Sequence, residues 1–89
     1  MKHPLEEIPG VGPRIAGVME KLGIRQVADL LGKDPEELYR RECRLKGFEE
    51  DRCALYVWRT AVYYAENPVR EAEKLKWWYW KDKEYPDKE

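Results

Sequence analysis

The segment Pro9-Gly10-Val11-Gly12-Pro13 contains two glycines separated by one residue. Of the patterns in this chain, this spacing is the one that best suits a defined chemistry. Glycine adopts positive φ and has no Cβ, so backbone N–H groups in such a loop can point outward. A helix starting at Pro13 adds the partial positive charge of its N-terminus. These groups together favour an anion such as a phosphodiester oxygen, bound by backbone amides.

Residue types suited to catalysis are sparse. The chain has no serine, Thr60 is its only threonine and His3 its only histidine. No histidine therefore partners a nucleophile, and a zinc site with four ligands would need a dimer to pool them. Carboxylates are plentiful, but none is marked out as a pair in a cleft. We expect a protein without enzymatic activity.

Cys43 and Cys53 are too few for a disulfide scaffold. The first falls near the end of one predicted helix and the second near the start of the next, so the turn between them could bring the thiols together. They are then either a disulfide or redox-sensitive pair, or simply small buried side chains.

Aromatic residues cluster near the C-terminus, in Trp77-Trp78-Tyr79-Trp80, with lysines on both sides. Aromatic faces with interleaved lysines can stack on single-stranded bases. Neighbours on a helix point about 100° apart, so the four cannot all face inward, and we expect Trp77 or Trp80 to be partly exposed. The run either packs on the core or contacts nucleic acid or a protein.

The composition is that of one small globular domain. The chain has 89 residues, of which 43% are hydrophobic and 39% charged, and its net charge is −1. We expect one folded domain over residues 1–80 and a flexible charged tail over residues 81–89. Proteins that hold nucleic acid mainly by charge are usually basic, so any binding here must be local and weak. No apolar stretch or signal peptide suggests a membrane, and a prokaryotic cytoplasm is expected.

The apolar spacing and helix caps predict an all-α fold with about five or six short helices. The longest is apolar on nearly every side and should be the central helix. The predicted helices cover residues 4–8, 13–22, 27–31, 35–45, 51–66 and 69–78. The last is rich in tryptophan, and its spacing predicts an inward face of Ala72, Leu75, Trp78 and Tyr79.

The segments Ile8 to Ala16, Leu22-Gly23-Ile24 and Val27 to Leu30 resemble the helix-hairpin-helix motif of DNA repair and replication proteins. The resemblance covers residues 5–31. In that family the amides that follow the glycines bind a DNA phosphate, and some members hold a monovalent cation on hairpin carbonyls. The loop could equally be a tight connector that binds nothing.

Carried over to this sequence, the resemblance implies two sets of site residues. The carbonyls of Glu6, Ile8 and Val11 would hold K⁺ or Na⁺. The phosphate would lie on the hairpin amides, with Val11 pointing inward, Ala16 allowing the two helices to cross closely and the Arg14 side chain adding a charge-assisted contact. The residues of that nucleic-acid-binding set are Gly10, Val11, Gly12, Arg14 and Ile15.

A degenerate second hairpin is predicted around Leu45-Lys46-Gly47-Phe48, and it would complete a compact domain. It has one glycine, and the acidic run Glu49-Glu50-Asp51 beside it would repel phosphate. We expect it to be structural.

Nearly the whole chain also resembles the small pathogenicity-locus (Cdd1-type) family, whose members are also called mitomycin-resistance proteins. The resemblance runs through Asp34-Pro35-Glu36-Glu37, Ala65-Glu66-Asn67-Pro68 and the tryptophan cluster. It implies a link to DNA-damage tolerance. The residues leave three functions open. The protein is a DNA-binding module without sequence specificity, a protein-interaction adaptor with a structural hairpin, or a protein that responds to redox state through its cysteine pair.

Overall fold

The computed structural model describes residues 3–83 and 85, and within them every regular element is helical. That agrees with the predicted all-α class. The predicted number of helices is not reproduced, because four of the described elements are short 3-10 segments: Pro4–Glu7, Val27–Leu30, Ala72–Leu75 and Trp77–Asp82. The α-helices of the described part are α1 (Pro13–Lys21), α2 (Pro35–Lys46) and α3 (Arg52–Glu66).

The ends of α2 and α3 are set by local side-chain chemistry. Asp34 accepts the N–H of Glu36 at 3.0 Å and Asp51 accepts that of Cys53 at 2.8 Å, so each helix begins with an aspartate cap. Gly47 ends α2 with a φ of +79°, which a glycine adopts without strain. The predicted starts and ends of these two helices are confirmed to within a residue or so.

Helix α3 is the centre of the packing, as predicted. It lies against α2, the segment Val27–Leu30 and both C-terminal 3-10 segments. The radius of gyration of 12.1 Å equals the value of about 12 Å expected for a compact chain of this length. The buried apolar residues of α3 are Leu55, Trp58, Ala61, Val62 and Tyr63.

The C-terminal region corrects one prediction. Instead of a helix over residues 69–78, the chain forms Ala72–Leu75 and Trp77–Asp82, with Lys76 extended between them. A 3-10 helix has three residues per turn, and the break at Lys76 shifts the register. The side of this segment that faces the core therefore differs from the side that α-helical spacing predicts. Trp80 is buried and Trp78 is 57% exposed, whereas the helical spacing placed Trp78 inward.

Arg59, a buried side chain of α3, holds this region in place. Its guanidinium donates to the Trp80 carbonyl at 2.9 Å and pairs with Glu36 at 3.4 Å. Tyr85 packs edge-on against Trp80 and donates to a Glu66 carboxylate at 2.6 Å. Of the predicted tail 81–89, residues 84 and 86–89 lie outside the described part. No helix in the described part has the length and apolar character needed to cross a membrane.

Candidate nucleic-acid interface

The glycine loop, residues 8–12, is held in place by apolar side chains beneath it. Leu5, Ile8 and Val11 are each at most 5% exposed and belong to the central core. Ala16, in the first turns of α1, is completely buried. The Val11 N–H donates to the Ile8 carbonyl at 3.0 Å and closes the turn. The core therefore fixes the loop backbone, and Val11 points inward as predicted.

Four backbone N–H groups at this loop have no protein acceptor among the described residues: those of Gly10, Gly12, Arg14 and Ile15. Gly10 has a φ of +87°, in the left-handed region that favours glycine. Gly12 is the N-cap of α1, but it has no side chain to accept the first N–H groups of the helix. The donors expected from the sequence thus have no acceptor in the part of the chain that the structure describes.

Arg14 lies beside these amides, in the first turn of α1, and its side chain is exposed. It makes no ion pair within the described residues, but it lies within electrostatic reach of Glu50. Hydrogen bonding to Lys46 lowers the pKa of Glu50, and the Arg14 charge lowers that pKa further. Arg14 therefore lies close both to the glycine loop and to the acidic residues of the α2–α3 turn.

Trp77 joins the aromatic C-terminal region to the glycine loop. A Cβ placed on Gly10 would lie 3.8 Å from Cδ1 of Trp77. Trp77 is half-buried, and its ring meets that of Trp78 edge-on at a centroid distance of 5.6 Å. Of the two tryptophans predicted as contact residues, Trp77 lies at the loop. Trp80 belongs to the aromatic packing around Tyr63.

A cavity of about 260 Å³ opens next to the loop, between α1, the start of α3 and Trp77. Its walls are largely apolar, and charged side chains stand among them. The sequence did not reveal this cavity, because its sides come from distant segments. The apolar and aromatic lining consists of Ile15, Val18, Met19, Ala54, Val57, Trp58 and Trp77, and the polar lining of Arg14, Glu42, Lys46, Glu50, Asp51 and Cys53.

A network of three charges runs along one side of the cavity. The buried Glu42 accepts the indole N–H of Trp58 at 2.8 Å and the Lys46 ammonium at 2.9 Å. Lys46 also pairs with Glu50. Hydrogen bonds to Glu50 and Glu42 raise the pKa of Lys46. The i, i+4 spacing of the three is visible in the sequence, whereas the Trp58 contact depends on the fold.

The carbonyls predicted for K⁺ or Na⁺ are those of Glu6, Ile8 and Val11. The Ile8 carbonyl already accepts the N–H of Val11 at 3.0 Å, which leaves it one lone pair for an ion. No group of histidine, cysteine, aspartate and glutamate side chains that could hold a metal ion occurs within residues 3–83 and 85.

The thiols of Cys43 and Cys53 are both free. Cys43 is half-buried and its sulfur accepts the Glu50 N–H at 3.2 Å. Cys53 is exposed, and hydrogen bonding to Asp51 raises the pKa of its thiol. A raised pKa lowers the thiolate fraction, and the thiolate is the reactive form. The redox pair stays a prediction, and the environment of Cys53 disfavours a fast-reacting thiol.

Comparison with known proteins gives two matches. The family model described as "Cdd1: Pathogenicity locus" matches residues 2–85. A curated protein of Streptomyces lavendulae, named "Mitomycin resistance protein McrB", is 35% identical over 77 residues, which cover 85% of this chain and 69% of the relative. No solved structure matches the chain significantly.

Proposed function

This chain belongs to the Cdd1 pathogenicity-locus family, and we propose that it is a helix-hairpin-helix module, without enzymatic activity, that binds DNA through a backbone phosphate. The observation that carries the proposal is the set of unpaired N–H groups at Gly10, Gly12, Arg14 and Ile15, on a loop fixed by the core. Helix N-termini with unpaired amides bind phosphate through those amides and the helix dipole. The Arg14 guanidinium adds a charge-assisted contact.

Binding of this kind is weak and independent of sequence. Amides that contact phosphate read no base edge. The net charge of −1 supplies no long-range attraction, and the acidic run at residues 49–51 lies near Arg14. We expect dissociation constants on the order of 0.1 mM or weaker at low salt.

The name of the related protein supports a cellular setting for this proposal. The name of the S. lavendulae protein refers to mitomycin resistance, and a role in DNA-damage tolerance in the cytoplasm suits a module that binds the DNA backbone. K⁺ or Na⁺ on the carbonyls of Glu6, Ile8 and Val11 is part of the same proposal, as a support for the loop.

A titration followed by amide NMR tests the proposal. Short single- and double-stranded DNA is added at low salt to the full chain. Shifts that start at Gly10, Gly12 and Ile15 and weaken as salt rises are the expected result, because phosphate contacts release counterions. Inorganic phosphate should move the same amides. Shifts that avoid the glycine loop, or that do not depend on salt, contradict the proposal.

A second candidate is the protein-interaction adaptor, and the exposed aromatic residues favour it. Trp78 is 57% exposed and Phe48, in the α2–α3 turn, is 59% exposed. Exposed large aromatic side chains are common at protein interfaces. Concentration-dependent sedimentation of the chain, repeated with Trp78→Ala, tests one partner, a second copy. Self-association that is lost in this variant supports the adaptor, and a monomer at all concentrations excludes that partner.

A further inference from the structure

We infer that the cavity beside the glycine loop receives an unpaired nucleic-acid base that carries an exocyclic amino group. The inference rests on the proposed function, because the loop would hold the phosphate of the nucleotide whose base enters the cavity. It also narrows that function, because the preferred ligand becomes single-stranded rather than duplex nucleic acid.

The position of the cavity connects it to the phosphate site. Arg14 and Ile15, two of the residues with unpaired N–H groups, also line the cavity. Trp77 borders both, since it lies against Gly10 and also forms part of the cavity wall. A phosphate at the loop and a ring in the cavity would therefore be neighbours, as the phosphate and base of one nucleotide are.

The apolar walls suit a flat ring. The half-buried Trp77 contributes aromatic surface, and Val18, Ala54 and Val57 contribute aliphatic surface, with the buried Trp58 behind them in the wall. Flipped or single-stranded bases are held in this way, between aromatic and apolar side chains. The volume of about 260 Å³ is small, as one base requires.

The charged side chains decide which part of a nucleotide can enter. Glu50 and Asp51 line the cavity, and carboxylates repel a phosphate but accept hydrogen bonds from the amino group of a base. Glu50 has one cationic partner, Lys46, and a carboxylate has lone pairs for further donors. The lining contains three carboxylates, those of Glu42, Glu50 and Asp51. The Lys46 and Arg14 charges offset two of them, so the cavity disfavours a phosphate and accepts a neutral base edge. Adenine, guanine and cytosine fit this pattern, and thymine lacks the amino group.

Three oligonucleotides of equal length test the base pocket: an adenine tract, a thymine tract and an abasic strand with the same number of phosphates. We expect the adenine tract to bind roughly tenfold more tightly than the abasic strand, with thymine in between, because stacking is lost without bases. The methyl signals of Val18, Ala54 and Val57 should shift most with adenine, less with thymine and not with the abasic strand. Equal affinity for all three, without methyl shifts, overturns the pocket and leaves phosphate binding intact. Failure of all three to bind overturns both proposals.

A pair of substitutions at the cavity mouth completes the test. Cys53 lines the cavity and is exposed, so Cys53→Leu narrows the opening without disturbing the core, and Cys53→Ser is the matched control. Circular dichroism establishes that both variants are folded. Cys53→Leu should remove most of the preference for adenine over the abasic strand, and Cys53→Ser should keep it. An unchanged preference in Cys53→Leu contradicts the proposal.

Discussion

The glycine loop and the α2–α3 turn are both helix connections with a glycine, and they differ in how the helix that follows is capped. In the α2–α3 turn, residues 47–51, the Gly47 N–H donates to the Cys43 carbonyl at 2.9 Å and the Glu50 N–H to the Cys43 sulfur at 3.2 Å. Asp51 then caps α3. In the glycine loop, residues 8–12, the Ile8 and Val11 N–H groups have acceptors among the described residues, whereas those of Gly10 and Gly12 have none, and no side chain caps α1.

This difference shows which features separate a structural turn from a binding loop. Both have a glycine with positive φ, at Gly10 and Gly47, so the glycine alone is not diagnostic. The α2–α3 turn has an aspartate, Asp51, that accepts an N–H at the start of α3, and an acidic run that repels anions. The glycine loop has neither. The Phe48 and Glu49 N–H groups of the α2–α3 turn have no acceptor among the described residues either. The distinguishing features are the absence of a capping side chain at the start of α1 and the absence of an acidic run within the loop.

The largest effect on stability should come from the charge network of Glu42, Lys46 and Glu50, which joins the end of α2 to the α2–α3 turn. Lys46→Ala leaves the buried Glu42 carboxylate without its cationic partner, and should lower the free energy of unfolding by about 2 kcal/mol. Urea denaturation measures this. Inorganic phosphate should still shift the Gly10 and Gly12 amides, and loss of these shifts together with the stability would contradict the difference between the two regions.

A smaller effect should come from the helix caps. Asp51→Ala removes the cap of α3 and should cost about 1 kcal/mol of unfolding free energy. Gly12 has no side chain to cap α1 and has open space at its Cβ position, so Gly12→Ala should change stability by less than about 0.5 kcal/mol. Thermal denaturation of the two variants compares them directly. Equal losses would show that Gly12 is as structural as Asp51.

The smallest effect should appear in the pH dependence of stability. Lys46 lowers the pKa of Glu50, so the ionised Glu50 carboxylate stabilises the fold above about pH 4.5. This stabilisation is lost as the pH falls further. The pKa of Lys46 is raised, so the protonated Lys46 ammonium stabilises the fold below about pH 10.5. This stabilisation is lost as the pH rises through the pKa of Lys46 in the folded protein. Denaturation measured across pH should show a smaller loss of unfolding free energy at acid pH in Glu50→Gln than in the unmodified protein. An identical acid limb in this variant would contradict the assignment.

Local features of the fold were predictable from the sequence. The caps at Asp34 and Asp51 and the end of α2 at Gly47 depend on residues close in the chain, and the structure confirms them. The C-terminal region depends instead on Arg59, which reaches the Trp80 carbonyl from α3. Helical spacing cannot anticipate such a contact, and so the buried tryptophan was misassigned.

The candidate site was predictable to the same degree. The loop amides follow from the two glycines and Pro13, all within a few residues. The cavity requires Trp77 to lie against Gly10, which is far away in the sequence. Neither spacing nor composition carries that information.

The central claim, that unpaired amides make the glycine loop an anion site, is tested most directly by supplying the missing cap. In Gly12→Asp the new carboxylate should accept the first N–H groups of α1, as Asp51 does in α3, while leaving the fold intact. Ala28→Asp, on the exposed surface of Val27–Leu30, makes the same charge change elsewhere. NMR titration with single-stranded DNA should show binding lost in Gly12→Asp and retained in Ala28→Asp. Equal binding by the two variants would contradict the claim.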